Sequence, residues 1–377
     1  MKSLFSSFKK TSKKDWLAKV EKDLKGKPLD SLDWKINADW VVSPFAHSDD
    51  AEESFPPLVG KKTANAWELG VRIFVKNIKT ANAEALFLLE KGATAICFDL
   101  QKNPTKKELE TLLQGIQHEW VSTHFILPKN SWKSIVTHFL SILKNKKQQL
   151  KKVAGSFQFK NNNTIASKDF ETIQVFSQQL PLVKFITVNA IPFYQGKENT
   201  VKELTQLFHQ ANNYLEKWND QNLELQTLLP HLQFAMQLGD SYFLNIAKIR
   251  ATKILWNLIV KNWKKSLKPS ITIEIHLTSN TQTKDENYNK IKATTQAMSA
   301  IIGGADRLYI YPSDVFKNKK GTKNANRLAL NIQHLMQLES YMDRVVDPAA
   351  GSYYLEILTD DLVEMVLSTL TDSTLKL

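Results

Sequence analysis

Cysteine is almost missing: Cys97 is the single one in 377 residues, so no internal disulfide can form. It falls in the apolar run Ala95 to Phe98, where a buried, inert thiol is expected. Arginine is nearly as scarce. Of 50 basic residues only five are Arg (Arg72, Arg250, Arg307, Arg327 and Arg344), whereas surfaces that grip phosphates and read bases favour the guanidinium fork. The formal charge of +12 is therefore read as a diffuse, Lys-rich solubilising surface and not as a nucleic-acid footprint. Its clusters (Lys144, Lys146 and Lys147; Lys151 and Lys152; Lys317, Lys319 and Lys320) flank predicted helices or turns. No stretch reaches about 18 uninterrupted apolar residues, so no membrane span is expected. The opening residues mix Lys and Ser and lack the apolar core of a secretion signal. A cytoplasmic protein fits these absences. Ready-made chemistry is missing as well, since no phosphate loop, GxGxxG, HExxH, CxxC or GxSxG occurs. The eight His residues are scattered, and no metal site is expected; His118, His138, His209 and His334 read as surface or interhelix residues of predicted helices.

What is present divides the chain into three. Residues 1–60 read as an arm: one short amphipathic helix around Trp16 to Leu24, then a largely irregular stretch through Pro28, Pro44, Pro56 and Pro57. Its apolar and aromatic residues, Trp16, Trp34 and Trp40 among them, are too many for a solvated tail and must bury against the chain or a partner. From about residue 69 a regular alternation begins. Strands are predicted at Val71 to Val75, Ala95 to Phe98, His124 to Leu127, Val153 to Phe157, Phe185 to Val188, Leu232 to Met236, Ile271 to His276 and Leu308 to Tyr311. Helices are predicted near 81–91, 105–118, 132–146, 168–179, 199–217, 240–265, 285–302 and 323–340. Eight β-then-α units predict an α/β fold of the (β/α)8 TIM-barrel type over 61–345, preceded by the arm and followed by a segment 346–377 docked on the barrel.

In such a barrel the reactive pocket lies at the carboxyl ends of the strands. That rule points at Asn77, Asp99, Asn189, Gln237, Thr278 and Tyr311 and their loops, with Tyr194 and Gln195 following strand five and His276 ending strand seven. Each also has a plain reading as a cap of a strand end or of the next helix. Gly303-Gly304-Ala305-Asp306 reads as a tight turn into the eighth strand, and Val345 to Tyr354 as a structured turn followed by a short strand-like segment.

Phe243-Leu244-Asn245-Ile246-Ala247-Lys248-Ile249-Arg250-Ala251 with Leu255-Trp256, the Gly303 to Asp306 turn, the segment Val345-Val346-Asp347-Pro348-Ala349-Ala350-Gly351-Ser352-Tyr353-Tyr354, and Trp16 with Lys22 to Pro28 together resemble the methylmalonyl-CoA mutases, and within them the small subunit. The resemblance covers nearly the whole chain. It implies a barrel that, in the active subunit, is threaded by the pantetheine of coenzyme A, with adenosylcobalamin on the carboxyl-end face. Small hydroxylated residues normally make room for that chain. Here the strands carry the bulky Ile73, Val75, Ile96, Phe98, Phe125, Phe185, Val188, Phe234 and Ile273; alternation turns about half of them inward, and little space for acyl-CoA is expected in the bore.

Departures from the family pattern point the same way. The substrate-binding stretch after a Trp stands here as Trp67-Glu68-Leu69-Gly70-Val71-Arg72-Ile73-Phe74, with its Gln and Tyr missing and Arg72 remaining. The positions matching the family's catalytic Tyr-His pair are Ile191 and Pro192, whose side chains donate no hydrogen bond, and losing preorganised donors costs orders of magnitude in rate. Nothing matches the Asp-x-His-x-x-Gly loop whose His ligates cobalt. The resemblance thus implies the small subunit of a heterodimeric, cobalamin-dependent methylmalonyl-CoA mutase. Adenosylcobalamin belongs to the large catalytic partner, no cofactor is bound by this chain, and Trp16, Trp34 and Trp40 are partner-contact candidates. The alternative is a cofactor-free barrel enzyme using the mouth residues.

Overall fold

In the computed structural model, the described residues are 11–50, 63–128, 131–160, 165–269, 271–316 and 321–372. The arm is thus described only over 11–50, and the cluster Lys317, Lys319 and Lys320 lies outside the described residues. Helix α1 (Lys13–Asp23) starts at a reciprocal capping box between Ser12 and Asp15. A two-stranded antiparallel ribbon follows, β1 (Trp34–Lys35) with β2 (Val41–Val42).

Then the alternation sets in: β3 (Glu68–Val75), α2 (Ile78–Glu90), β4 (Ala95–Leu100), α3 (Lys106–Leu112), β5 (Ser122–Leu127), α4 (Trp132–Asn145), β6 (Ala154–Phe159), α5 (Phe170–Gln179), β7 (Leu182–Lys184) and β8 (Ile186–Asn189). It continues through α6 (Thr200–Asp220), the single turn α7 (Leu225–Leu228), β9 (Leu232–Gln237), α8 (Tyr242–Trp263), β10 (Ile273–Leu277), α9 (Glu286–Ile302), β11 (Arg307–Ile310) and α10 (Lys323–His334). A π-helical turn, Leu335–Glu339, extends α10, and α11 (Tyr353–Asp372) ends the described chain.

All nine strands from β3 to β11 pair in parallel, in the order β7-β6-β5-β4-β3-β11-β10-β9-β8. The two ends of that order are consecutive in the chain. β7 and β8 are halves of one strand, interrupted at Phe185, so the sheet comes round on itself as an eight-position barrel. Thr187 Oγ1 donates to the Phe157 carbonyl at 3.1 Å and bridges β8 to β6 across the break. The expected eighth-strand entry is there: Gly304 takes φ +82°, and the Asp306 carboxylate accepts from the Ile273 backbone N–H at 2.8 Å.

Strand alternation decides what faces where. Glu68, Arg72, Cys97, Asp99, His124, Ser156, Gln233, Gln237, Glu274, His276, Arg307 and Tyr309 meet one another inside the bore. Their neighbours in sequence therefore face the helices. The expectation that about half of Ile73, Val75, Ile96, Phe98, Phe125, Phe185, Val188, Phe234 and Ile273 point into the bore is corrected accordingly: all nine belong to the outer core shared with the helices. Phe125 and Phe157 stack at 5.4 Å, and both meet Phe139 of α4 edge-on. Phe234 meets Trp256 of α8. Fully burying each such ring contributes about 1.5–3 kcal/mol.

Two motifs far apart in sequence meet here. The Arg250 guanidinium on α8 donates to the Asp347 carboxylate (3.1 and 3.2 Å), to Glu356 (2.9 and 2.8 Å) and to Thr359 Oγ1 (3.2 Å). This clasp holds the 345–352 turn and the first turn of α11 against the barrel, while Leu358, Leu362, Val363, Val366 and Leu370 are buried beside α6 and α8. The strand-like segment expected before Tyr354 is absent; Tyr353 already begins α11. The i, i+3, i+4, i+7 spacing of Leu355, Leu358, Leu362 and the later apolar residues suits a helix that buries one face.

Candidate functional site

The bore is layered. Near the amino ends of the strands, Arg307 bonds Glu68 through Nε (2.5 Å) and Glu274 through a terminal nitrogen (2.8 Å), and Gln233 joins the same group. One layer up, His276 Nε2 lies 3.1 Å from Glu274 Oε1, and its ring stacks on Tyr309 with centroids 4.6 Å apart. His124 sits across from them, bonded to Ser156 Oγ and Ser122 Oγ. Arg307, Glu274, His276, His124 and Tyr309 are all buried.

Burial dominates the titration of these groups. It pushes the His276 imidazole down against the opposing pull of Glu274, and pushes His124 down with help from the Arg307 charge. For Glu274 burial acts upward, but the hydrogen bond from His276 and the charge and hydrogen bond of Arg307 outweigh it and hold the carboxyl low. Arg307 keeps its charge because Glu68, Tyr309 and Glu274 overcome its desolvation. Cys97, also facing the bore, has its thiol pushed up by burial, as expected of an inert cysteine.

At the carboxyl ends of the strands lies the mouth, with a cavity of about 480 Å³ lined by Arg72, Phe74, Asp99, Ser279, Ile310, Tyr311, Pro312, Val315 and Phe316. Asp99 is buried and accepts from Arg72, from Lys160 Nζ at 2.8 Å and from Gln101 Nε2 at 2.8 Å. Arg72 also donates to the Tyr311 hydroxyl. Of the mouth residues expected from sequence, Asp99 and Tyr311 are therefore brought together, and Arg72 joins them.

The others go elsewhere. Thr278 Oγ1 donates to Gln237 Oε1 at 2.7 Å, a buried pair. His276 does not reach the mouth, being 0% exposed. Asn189 caps the turn after β8 by accepting from Ile191 N–H at 3.0 Å, and Asn77 caps α2. Tyr194 packs over Gly239 beneath the Lys248 ammonium, its hydroxyl pushed up to about 12 by burial and by Asp240, Glu203 and Glu198. Gln195 points into solvent. Ile191 and Pro192 form a short 3₁₀ turn.

Sequence reasoning passed over Glu68, Glu274, Arg307 and Tyr309 as site residues. Their signal is a polar residue at every second strand position, as in Glu274-x-His276-x-Thr278 and Arg307-x-Tyr309-x-Tyr311. His118, placed by the sequence in a helix, lies past the end of α3, buried and bonded to Thr123 Oγ1 at 2.8 Å.

Of the arm's tryptophans, Trp40 is buried against this chain's own core, with its indole N–H 3.4 Å from Asp361 on α11. Trp34 is half-buried with Lys197 over its ring, and Trp16 meets Phe45 edge-on at 4.3 Å.

A model of the family described as methylmalonyl-CoA mutase matches residues 104–373, more than half of the chain. This chain belongs to the methylmalonyl-CoA mutase family. It is 29% identical to the methylmalonyl-CoA mutase small subunit of Porphyromonas gingivalis, over 96% of this chain and 62% of that one. The small subunit of Streptomyces virginiae is 28% identical over 51% of this chain and 31% of its own length. The methylmalonyl-CoA mutase of Escherichia coli is 28% identical over 50% of this chain and 27% of its own. The chain thus spans less than two thirds of the length of these relatives.

A pantetheine threaded along the axis would have to displace Arg307, Glu274 and His276, which are linked in a chain of hydrogen bonds, and Tyr309, which stacks on His276. The mouth cavity is lined by no histidine among the described residues. No helix among the described residues is long and apolar enough to cross a membrane.

Proposed function

We propose that this chain is the cobalamin-free small subunit of a heterodimeric methylmalonyl-CoA mutase, a catalytically silent structural partner of a large subunit that carries adenosylcobalamin and isomerises methylmalonyl-CoA to succinyl-CoA. The observation that carries this reading is the filled bore. Burying Arg307 between Glu68 and Glu274 is costly unless every charge is matched, and the matched network occupies the route an acyl-CoA would need. Ile191 and Pro192 support it, because the strand-five loop offers a developing oxyanion no side-chain donor at those positions. Two relatives named as small subunits support the assignment of partner class.

Co-expression with a cobalamin-bearing large subunit from the same source tests the reading. The two chains should co-elute, cobalamin-dependent isomerisation should appear only with the large chain present, and this chain alone should bind no cobalamin. Turnover by this chain alone, or separate elution at micromolar concentrations, would sink it.

A further inference from the structure

The mouth cavity has a chemistry that a silent scaffold does not require. Asp99 is saturated by Arg72, Lys160 and Gln101. The Arg72 guanidinium carries five N–H donors; among the described residues its two terminal nitrogens bond Tyr311 and Asp99, which leaves N–H groups unspent at the cavity. Lys160 and Lys76 place their ammonium groups 5.6 and 5.8 Å from the centre of the Phe74 ring, a wall of the same cavity. Around the Phe74 wall the cations Arg72, Lys160 and Lys76 outnumber the carboxylate of Asp99. The remaining walls, Ile310, Pro312, Val315 and Phe316, are apolar.

A charged fork at one side and an apolar cup at the other define a ligand class. We propose that the barrel mouth binds a small organic monocarboxylate with an aromatic or branched apolar body. The carboxylate pairs with Arg72 in the planar geometry the guanidinium favours, the Tyr311 and Ser279 hydroxyls border it, and the apolar body packs on Phe74, Ile310 and Val315. A cavity of about 480 Å³ falls within the roughly 300–1,000 Å³ of small-molecule pockets. The floor is closed by the bore network, so the ligand enters and leaves by the mouth. This inference goes beyond the subunit reading and does not rest on it.

Titration calorimetry on the full chain alone, with benzoate and 2-methylpropanoate as probes and benzamide as the uncharged analogue, tests it without the large subunit. Saturable one-to-one binding of the acids is expected, with benzoate at least ten-fold tighter than benzamide. Lys160→Gln, at the rim, should weaken benzoate by several-fold to about ten-fold, the loss of one charge-assisted contact. Val315→Trp, which fills the cup, should abolish binding while the circular dichroism melt stays that of the parent chain. Absence of saturable binding by either acid, equal affinity for benzamide, or full retention in a folded Val315→Trp chain would each overturn the proposal. Co-elution with the large subunit is a separate measurement, so failure of the ligand and failure of the subunit reading are distinguishable.

Discussion

Along one and the same set of strands, two rows of side chains meet two different environments. The outward row, Phe98, Phe125, Phe157, Phe234 and Ile273 among others, packs on helices and needs only shape and apolar area. The inward row is polar: His124, Glu274, His276, Arg307 and Tyr309 are buried, Glu68 and Arg72 half-buried at its two ends, and its charges survive there because Arg307 is matched by Glu68 and Glu274 and Arg72 by Asp99. The difference teaches that filling a barrel and stabilising it are separable tasks. The outer row drives collapse through area; the inner row fixes one arrangement, since a half-satisfied polar network is worse than an apolar one.

The two rows should break differently. Arg307→Met leaves Glu68 and Glu274 without their cation and should cost about 3–5 kcal/mol in urea unfolding. Phe157→Ala should cost a similar ~3–5 kcal/mol through the cavity it opens beside Phe125 and Phe139. What separates them is rescue: converting Glu274 to Gln alongside Arg307→Met should recover part of the first loss, whereas no charge change recovers the second. An Arg307→Met chain as stable as the parent would show that the network contributes nothing net.

Acid sharpens the contrast. Burial lowers the folded-state imidazoles of His124 and His276 in the bore, of His231, and of His118, the last to about 3. Unfolded imidazoles take up protons near pH 6.5 while these folded ones stay neutral, so the unfolded state binds more protons below that pH. Stability is therefore fully present above about pH 6.5 and falls on acidification, at up to about 1.4 kcal/mol per pH unit for each such histidine. Thermal melts from pH 8 to pH 5 should show this slope. His276→Gln should flatten it by one group, whereas Phe157→Ala should lower the whole curve without changing its shape; a parent profile flat down to pH 5 would contradict the buried neutral imidazoles. The smallest effect is expected outside both rows, at Trp120, which is 82% exposed. Trp120→Ser should change stability by no more than about 0.5 kcal/mol, and a larger loss would mean that the amino-end face of the barrel is covered.

Much of the fold was legible from periodicity. Runs such as Ala95 to Phe98 and Leu232 to Met236 lie in observed strands, and the helix predicted at 285–302 lies within a residue of α9. Boundaries were less legible where local rules lose to tertiary ones: the strand read at Phe185 to Val188 starts at Ile186 and has a first half, Leu182–Lys184, that the reading missed, and Tyr353 opens a helix where the preceding turn suggests extension. The candidate site was legible only in part. Asp99 and Tyr311 do meet at the mouth, but through Arg72, whereas His276 lies buried beneath it and Gln195 faces solvent.

The amino-acid sequence by itself determined the eight-unit order, the parallel sheet and the family, because hydrophobic period and motif spacing are local and survive translation into any viewpoint. Only the tertiary structure decided which half of each strand turned inward, that Arg250 reaches Asp347 and Glu356 across about a hundred residues of chain, and that the bore is closed by charge and not by bulk. The reason is physical. A strand's alternation fixes two faces but not which one is enclosed, and the pairing that makes a buried Arg307 tolerable comes from Glu68 and Glu274, partners that lie side by side only once the sheet has closed.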